Sequence, residues 1–266
     1  MNETYRPQES EAKKITPEFL AEQARLPRDQ WSEEFKNYID GIIQENARMR
    51  EGKWTDEESN SSPEAEEEKT YQRYLSGLRF NEDELRDKVI LDLGSGDGEF
   101  VKYCIDKGIT SNAYGVEGRL ADEDRPAEEE SGLVKIDERY RKNFFAQNYG
   151  EALPVRNADY VISMASVTNM DWDGEEWKDV VNVLQNSLAA LKENGEIRLW
   201  PIQEAAEATP VEGEDTTNQA WRGKLDAFAL ENHIQWELRP TGVIVTGNDN
   251  NQIYLNSVLI LRRQKP

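Results

Sequence analysis

Residues Val89 to Phe100 read VILDLGSGDGEF, in which an apolar run passes directly into three glycines at alternate positions. Such a run, bounded by glycine, reads as a buried strand. The segment after it carries Phe100, Val101, Tyr103, Cys104 and Ile105 and reads as an amphipathic helix. Alternating glycines let the backbone turn sharply and approach a ligand where any Cβ would intervene. The following helix directs its first amides to the same place. A strand, glycine turn and helix in this order point to an α/β architecture with its ligand at the strand end.

The rest of the chain repeats the alternation of short apolar runs and longer amphipathic segments, the pattern of parallel strands joined by crossover helices. Val89–Leu93, Ala113–Val116, Asn143–Gln147, Tyr160–Ser163 and Ile197–Trp200 read as five successive strands. A helix from about Glu175 to Lys192 carries Trp177, Val181, Leu184, Leu188 and Leu191 on one face and stops at Asn194-Gly195. A later helix around Trp221, Leu225 and Phe228 leads to a strand at Ile234–Leu238 or Val243–Val245, and Ser257–Leu261 closes the sheet.

Ahead of this region, residues 1–54 form a helical extension. Thr16-Pro17-Glu18 is a helix start, with a capping hydroxyl and proline in the first turn. A second helix from near Arg28 aligns Trp31, Phe35, Tyr38, Ile42 and Ile43. This stripe either docks on the main domain or serves as a lid over its cleft. Residues 55–70 are acidic, Ser-rich and almost without apolar side chains, and are expected to form a flexible linker. The main domain is then 71–266.

The glycine turn has the spacing G-x-G-x-G, and Glu99 stands where a dinucleotide fingerprint requires its third glycine. Asp92 and Asp97 beside the turn repel a pyrophosphate and tolerate a sulfonium. The expected ligand is therefore a cationic nucleoside and not NAD. Glu117 ends the second strand, where doubly wound nucleoside-binding folds place an acid on the ribose hydroxyls. Its two oxygens can each accept from one of two vicinal hydroxyls.

DLGSGDG, then GVEG, EALPVRNADYVISMASV and LAALKENGEIRLWP resemble, in order, the motifs of the class I S-adenosylmethionine-dependent methyltransferases over about 180 residues. The resemblance implies a doubly wound, Rossmann-like seven-stranded sheet and S-adenosyl-L-methionine as cofactor. It implies that Asp92, Gly94, Ser95, Gly96 and Gly98, with Asp97 beside them, hold the methionine part. Glu117 would hold the ribose, and Gly118 and Arg119 would lie near the adenine. Tyr149 stands where the family usually has an acid on the adenine amino group, which leaves that contact among Asn148, Tyr149 and the Gly150 backbone. Ser163 and Met164 would line the cleft where cofactor and acceptor meet, although Met164 equally suits core packing.

Methyl transfer by in-line displacement needs alignment and exclusion of water more than a nucleophile. That agrees with a chain holding one cysteine, Cys104, and one histidine, His233. No intrachain disulfide or cysteine-based zinc cluster can form from these, and Cys104 reads as a small buried hydrophobe. His233, Asp171 and Asp173 are candidate bases, and Trp172 and Trp177 either wall the acceptor site or pack the core. No residue is assigned as catalytic. The formal charge of −21 repels nucleic-acid phosphates and anionic membranes. Such acidity can also be a solubility device or an adaptation to salt. The Asn/Asp-Pro-Pro-Tyr/Phe signature of amino-methylating nucleic-acid enzymes is also missing after the fourth strand, where SMASVTNM stands. The expected acceptor is a small molecule or another non-nucleic-acid group, with nucleic acid an unlikely partner. A cytoplasmic setting follows from the lack of any apolar run long enough to cross a membrane. A catalytically silent methyltransferase-like scaffold is the alternative reading. Nothing in the sequence speaks to oligomeric state.

Overall fold

Seven strands form one sheet in the order β3-β2-β1-β4-β5-β7-β6. In chain order they are β1 (Ile90–Leu93), β2 (Ala113–Val116), β3 (Phe144–Phe145), β4 (Ala158–Met164), β5 (Leu191–Ala205), β6 (Ile234–Thr246) and β7 (Ile253–Arg263). The first five strands of that order pair in parallel, while β7 runs antiparallel to both β5 and β6. The strand order reverses between β1 and β4, so a crevice opens at their C-terminal ends. This computed structural model describes residues 15–50, 62–118, 136–172, 174–205, 217–246 and 253–264.

Helices cover both faces, which is why every residue of β1 is buried and its sequence is apolar but for Asp92. One face packs Leu91, Leu93, Val161, Ile197 and Leu259 against apolar side chains of α6 (Trp177–Ala190) and α7 (Thr217–Glu231). The other packs Ile90, Ile162, Val258 and Ile260 with α3 (Pro63–Leu78) and α5 (Glu99–Asp106). Between α3 and β1 stands the single turn of α4 (Glu82–Leu85), closed by an Asn81/Glu84 capping box.

Helix α6 ends at Ala190, earlier than its periodicity suggests, because Leu191 already pairs with Ala158 at the start of β5. Gly195 then permits β5 to pass beside β4: a Cβ there would stand 2.8 Å from the Ala158 carbonyl oxygen. The two candidate strands near the C-terminus are one strand, β6, with a register shift between Pro240 and Ile244. Proline has no amide to donate at that shift.

The extension forms α1 (Pro17–Ala24) and α2 (Glu33–Arg50). Thr16 caps α1 by accepting from the Phe19 amide at 3.1 Å. Leu20, Ala24, Trp31, Phe35 and Ile39 cluster with Ile244, Ile253 and Leu255 of β6 and β7. The Tyr38 hydroxyl donates to the Gly242 carbonyl at 3.3 Å. The apolar stripe thus docks on the outer strands of the sheet.

The expected linker is corrected over part of its length. Residues 55–61 lie outside the described residues, but Ser62 caps α3, and its hydroxyl accepts from the Ala65 amide at 3.2 Å. Residues 63–70 of the acidic stretch are the first half of a helix whose second half carries Tyr71, Tyr74 and Leu78 into the core. Burial of that second half offsets the ordering of the charged turns ahead of it. Among the described residues no helix is long and apolar enough to cross a membrane.

Candidate functional site

The glycine turn is built as its sequence suggests. Gly94, Gly96 and Gly98 all have positive φ, at 72°, 56° and 75°. A Cβ on Gly94 would run into the Ser166 side chain, and one on Gly98 would run into the Phe144 ring. The turn is pinned to β2 by the Gly94 amide, which donates to the Val116 carbonyl at 2.8 Å. Gly98 is the N-cap of α5, so the first amides of that helix face the crevice.

Glu117 follows β2 directly and is 7% exposed. Its Oε2 accepts from the Gly96 amide at 3.0 Å, and its own amide donates to the Phe145 carbonyl at 3.1 Å. One residue therefore joins the ends of the first three strands, its carboxylate holding the turn after β1 and its backbone amide holding β3. A cavity of about 650 Å³ opens beside it. Its walls are Gly94 from the first turn, Glu117 and Gly118 from the second, Gln147, Asn148 and Tyr149 after β3, and Met164, Ala165 and Ser166 after β4. That volume is ordinary for a small-molecule or cofactor site. A second hollow of about 680 Å³, lined by Glu193 to Gly195 and Arg262 to Gln264, lies at the opposite ends of the strands. It faces neither the glycine turn nor the C-terminal end of any of the parallel strands.

Asp92 lies beneath the turn, fully buried. Its Oδ2 accepts from the Tyr74 hydroxyl at 2.9 Å, and its Oδ1 has no hydrogen-bond partner among the described residues. Burial pushes the Asp92 carboxyl up to about 7, against the Tyr74 hydrogen bond, which favours the carboxylate; the nearby charge of Glu117 raises it further. The Asp92 charge also helps to hold the Tyr74 phenol protonated, after burial.

Several sequence candidates fall elsewhere. Ser163 is fully buried under the crevice: its hydroxyl donates to the Leu93 carbonyl at 2.9 Å and accepts from the Val167 amide at 3.1 Å. It braces β4 against β1 and does not line the cavity. Ser95 turns its hydroxyl toward Gly115, and Asp97 is exposed. Gly150 stands just outside the walls; its amide donates to Asn148 Oδ1 at 2.8 Å and its carbonyl accepts from Asn186. Arg119 and Asp173 lie outside the described residues.

Trp172 is buried, donates its indole N–H to the Val167 carbonyl, and packs against Trp177 and Trp221. The two tryptophans pack the core on the α6 and α7 face and are not among the residues that line the 650 Å³ cavity. His233, with φ 52°, ends the turn after α7 and stands ahead of Ile234, which pairs with Arg263 at the sheet edge remote from the glycine turn. It cannot serve as a base at the crevice. Burial pushes the Cys104 thiol up, as suits a packing residue.

Sequence reasoning missed Tyr74, Gln147, Ala165 and Ser166. Ala165 has φ 58°, a strained backbone for a residue with a Cβ, held by its amide donating to the Trp200 carbonyl at 2.7 Å. That strain turns the chain after β4 so that Ser166 faces Gly94. Among the described residues no group of three His, Cys, Asp or Glu side chains could hold a metal ion.

Neither a protein-family model nor a curated protein matches this chain in sequence. Solved structures similar to it include a magnesium protoporphyrin IX methyltransferase from Synechocystis with bound S-adenosylmethionine, at 10% identity, TM-score 0.41, and 86% of this chain against 85% of that one. A putative sarcosine dimethylglycine methyltransferase from Galdieria sulphuraria aligns at 12% identity and TM-score 0.43, over 76% of this chain and 86% of its own. An rRNA methylase from Streptococcus thermophilus aligns at 11% identity and TM-score 0.39, over 77% and 98%. The chain's own sheet order, with β7 antiparallel between β5 and β6, is that of the class I methyltransferase fold.

Proposed function

We propose that this chain is an S-adenosylmethionine-dependent methyltransferase that acts on a small-molecule or other non-nucleic-acid acceptor by direct in-line displacement. The observation that carries the reading is the Gly96–Glu117 hydrogen bond at the edge of the 650 Å³ cavity. It places an acid suited to two ribose hydroxyls against a glycine turn suited to close backbone approach.

The residues present fit this cofactor. Glu117 would accept from the ribose, and Gly94, Gly96 and the first amides of α5 would hold the amino-acid end. Tyr149 and Asn148 offer a ring face and an amide to the base. When bound, the cofactor supplies an electrophilic methyl carbon on a sulfonium. Met164, Ala165 and Ser166 flank the other wall and would align the acceptor and exclude water. No histidine or cysteine approaches the cavity, which fits a displacement that needs no covalent residue.

The acidic chain, at −21, favours an acceptor that is not a polyanion. Isothermal titration with S-adenosylmethionine and with NADH tests the cofactor assignment. Binding of the first and not the second is expected; no binding of S-adenosylmethionine at millimolar concentration would leave a silent scaffold as the reading. Transfer of labelled methyl groups into a small-molecule fraction and not into RNA tests the acceptor class.

A further inference from the structure

A buried carboxyl with a single hydrogen-bond partner is an expensive thing to place under a ligand turn, where asparagine would fill the same volume without charge. Asp92 is such a group, with Oδ1 unpartnered among the described residues and Oδ2 held by Tyr74. Tyr74 comes from α3, outside the strand–turn–helix unit. It is buried and stacked on Phe100 of α5 with ring centroids 4.3 Å apart, so its hydroxyl is fixed in position.

The charged and titratable groups around this pair are few. Helix α3 contributes Tyr74 and, acting on it from the exposed side, Arg73. Helix α5 contributes Cys104 and Glu99, and the end of β2 contributes Glu117. The strand β4 meets Asp92 through Ile162, which carries no charge. No hydrogen bond or ion pair joins Asp92 to a cation among the described residues. The surroundings are acidic, and Glu117 itself lines the cavity.

Resting on the function proposed above, we infer that Tyr74 is a positioning residue that holds Asp92 as a buried counter-charge, so that the site prefers a sulfonium nucleoside to its neutral thioether. A positive ligand beside the turn supplies the charge that the carboxylate lacks, and the thioether product does not. Binding of the cation then favours loss of the Asp92 proton, which is why preference and pH are linked. The direction is fixed by the chemistry. As pH rises through the Asp92 range near 7, the carboxylate forms and the preference for the cation grows. Removing the Tyr74 hydroxyl withdraws the bond that favours the carboxylate and moves this growth to higher pH.

The test is isothermal titration of the full chain with S-adenosylmethionine and S-adenosylhomocysteine from pH 5.5 to 9, for the parent, Tyr74→Phe and Asp92→Asn. In the parent, the affinity ratio of cation to thioether should rise at least ~5-fold between pH 6 and 8. It should be flat in Asp92→Asn, and its inflection should shift upward in Tyr74→Phe. A flat ratio in the parent overturns the inference, as does a Tyr74→Phe variant that weakens both ligands equally with the inflection unmoved. If Asp92→Asn fails to fold, Tyr74→Phe decides alone. Failure of the parent to bind either ligand would instead sink the methyltransferase reading, and this inference with it.

Discussion

Gly94 and Ser166, 72 residues apart in the chain, meet across the crevice so closely that there is no room for a β-carbon on the glycine. Two independent demands therefore fall on Gly94: the contact with Ser166 and a φ of 72°. Gly94→Ala should destabilise the fold by about 1–3 kcal/mol and lower Tm accordingly. It should also abolish cofactor binding, because the turn must move. Adding Ser166→Gly removes both atoms that the new methyl strikes and should recover part of the stability, leaving the backbone strain. Full tolerance of Gly94→Ala in a thermal melt would contradict the geometry of the crevice.

Tyr71 is fully buried and its hydroxyl has no hydrogen-bond partner among the described residues, while its ring stacks on Tyr103 at 4.5 Å. An unmet buried hydroxyl costs about 1–3 kcal/mol. Tyr71→Phe keeps the ring and removes the hydroxyl, so chemical denaturation should show stability equal to the parent or about 1 kcal/mol higher. A loss of more than that would mean the hydroxyl is satisfied in solution.

Stability should also respond to pH through Asp92. Its carboxyl stands near 7 in the folded chain against 3.8 for an ordinary aspartate. Between these values the folded state holds a proton that the unfolded state has lost. This contribution is present at low pH and disappears as pH rises through that window. Asp92→Asn removes the titration, so its Tm should gain on the parent from pH 5 to pH 8. The same variant should lose affinity for the cationic cofactor, a trade of function for stability. A constant Tm difference across that range would show that Asp92 is not buried as a charge.

The helix missed at Ser62 shows what composition conceals. Ser62-Pro63-Glu64 repeats the start signature of Thr16-Pro17-Glu18, yet the acidic run after it suggested a chain unable to fold. The burial that fixes α3 lies beyond that run, at Tyr71, Tyr74 and Leu78. With the helix went Tyr74, whose partner Asp92 is 18 residues away and invisible to any local pattern.

Glu117 was legible because it ends an apolar strand, one crossover after a glycine turn. Ser163 and Met164 are neighbours on one strand and point to opposite faces, so only one of them can line the cleft. Which one depends on register, and β4 turns the serine into the sheet toward Leu93. Ser166 depended on a strained φ at Ala165 that no residue preference announces. Strand positions could be read from periodicity; their pairing order could not, because apolar runs of similar length carry no address.

The central claim is that Glu117 holds the nucleoside of S-adenosylmethionine against the glycine turn. Titration of that ligand into the parent, Glu117→Gln and Glu117→Ala tests it most directly. Hydrogen bonds to a charged acceptor are worth about 1.5–3 kcal/mol each, so Glu117→Ala should weaken binding at least ~10-fold, with Glu117→Gln between. Equal affinity in the parent and in a Glu117→Ala variant that is folded by circular dichroism would contradict the account.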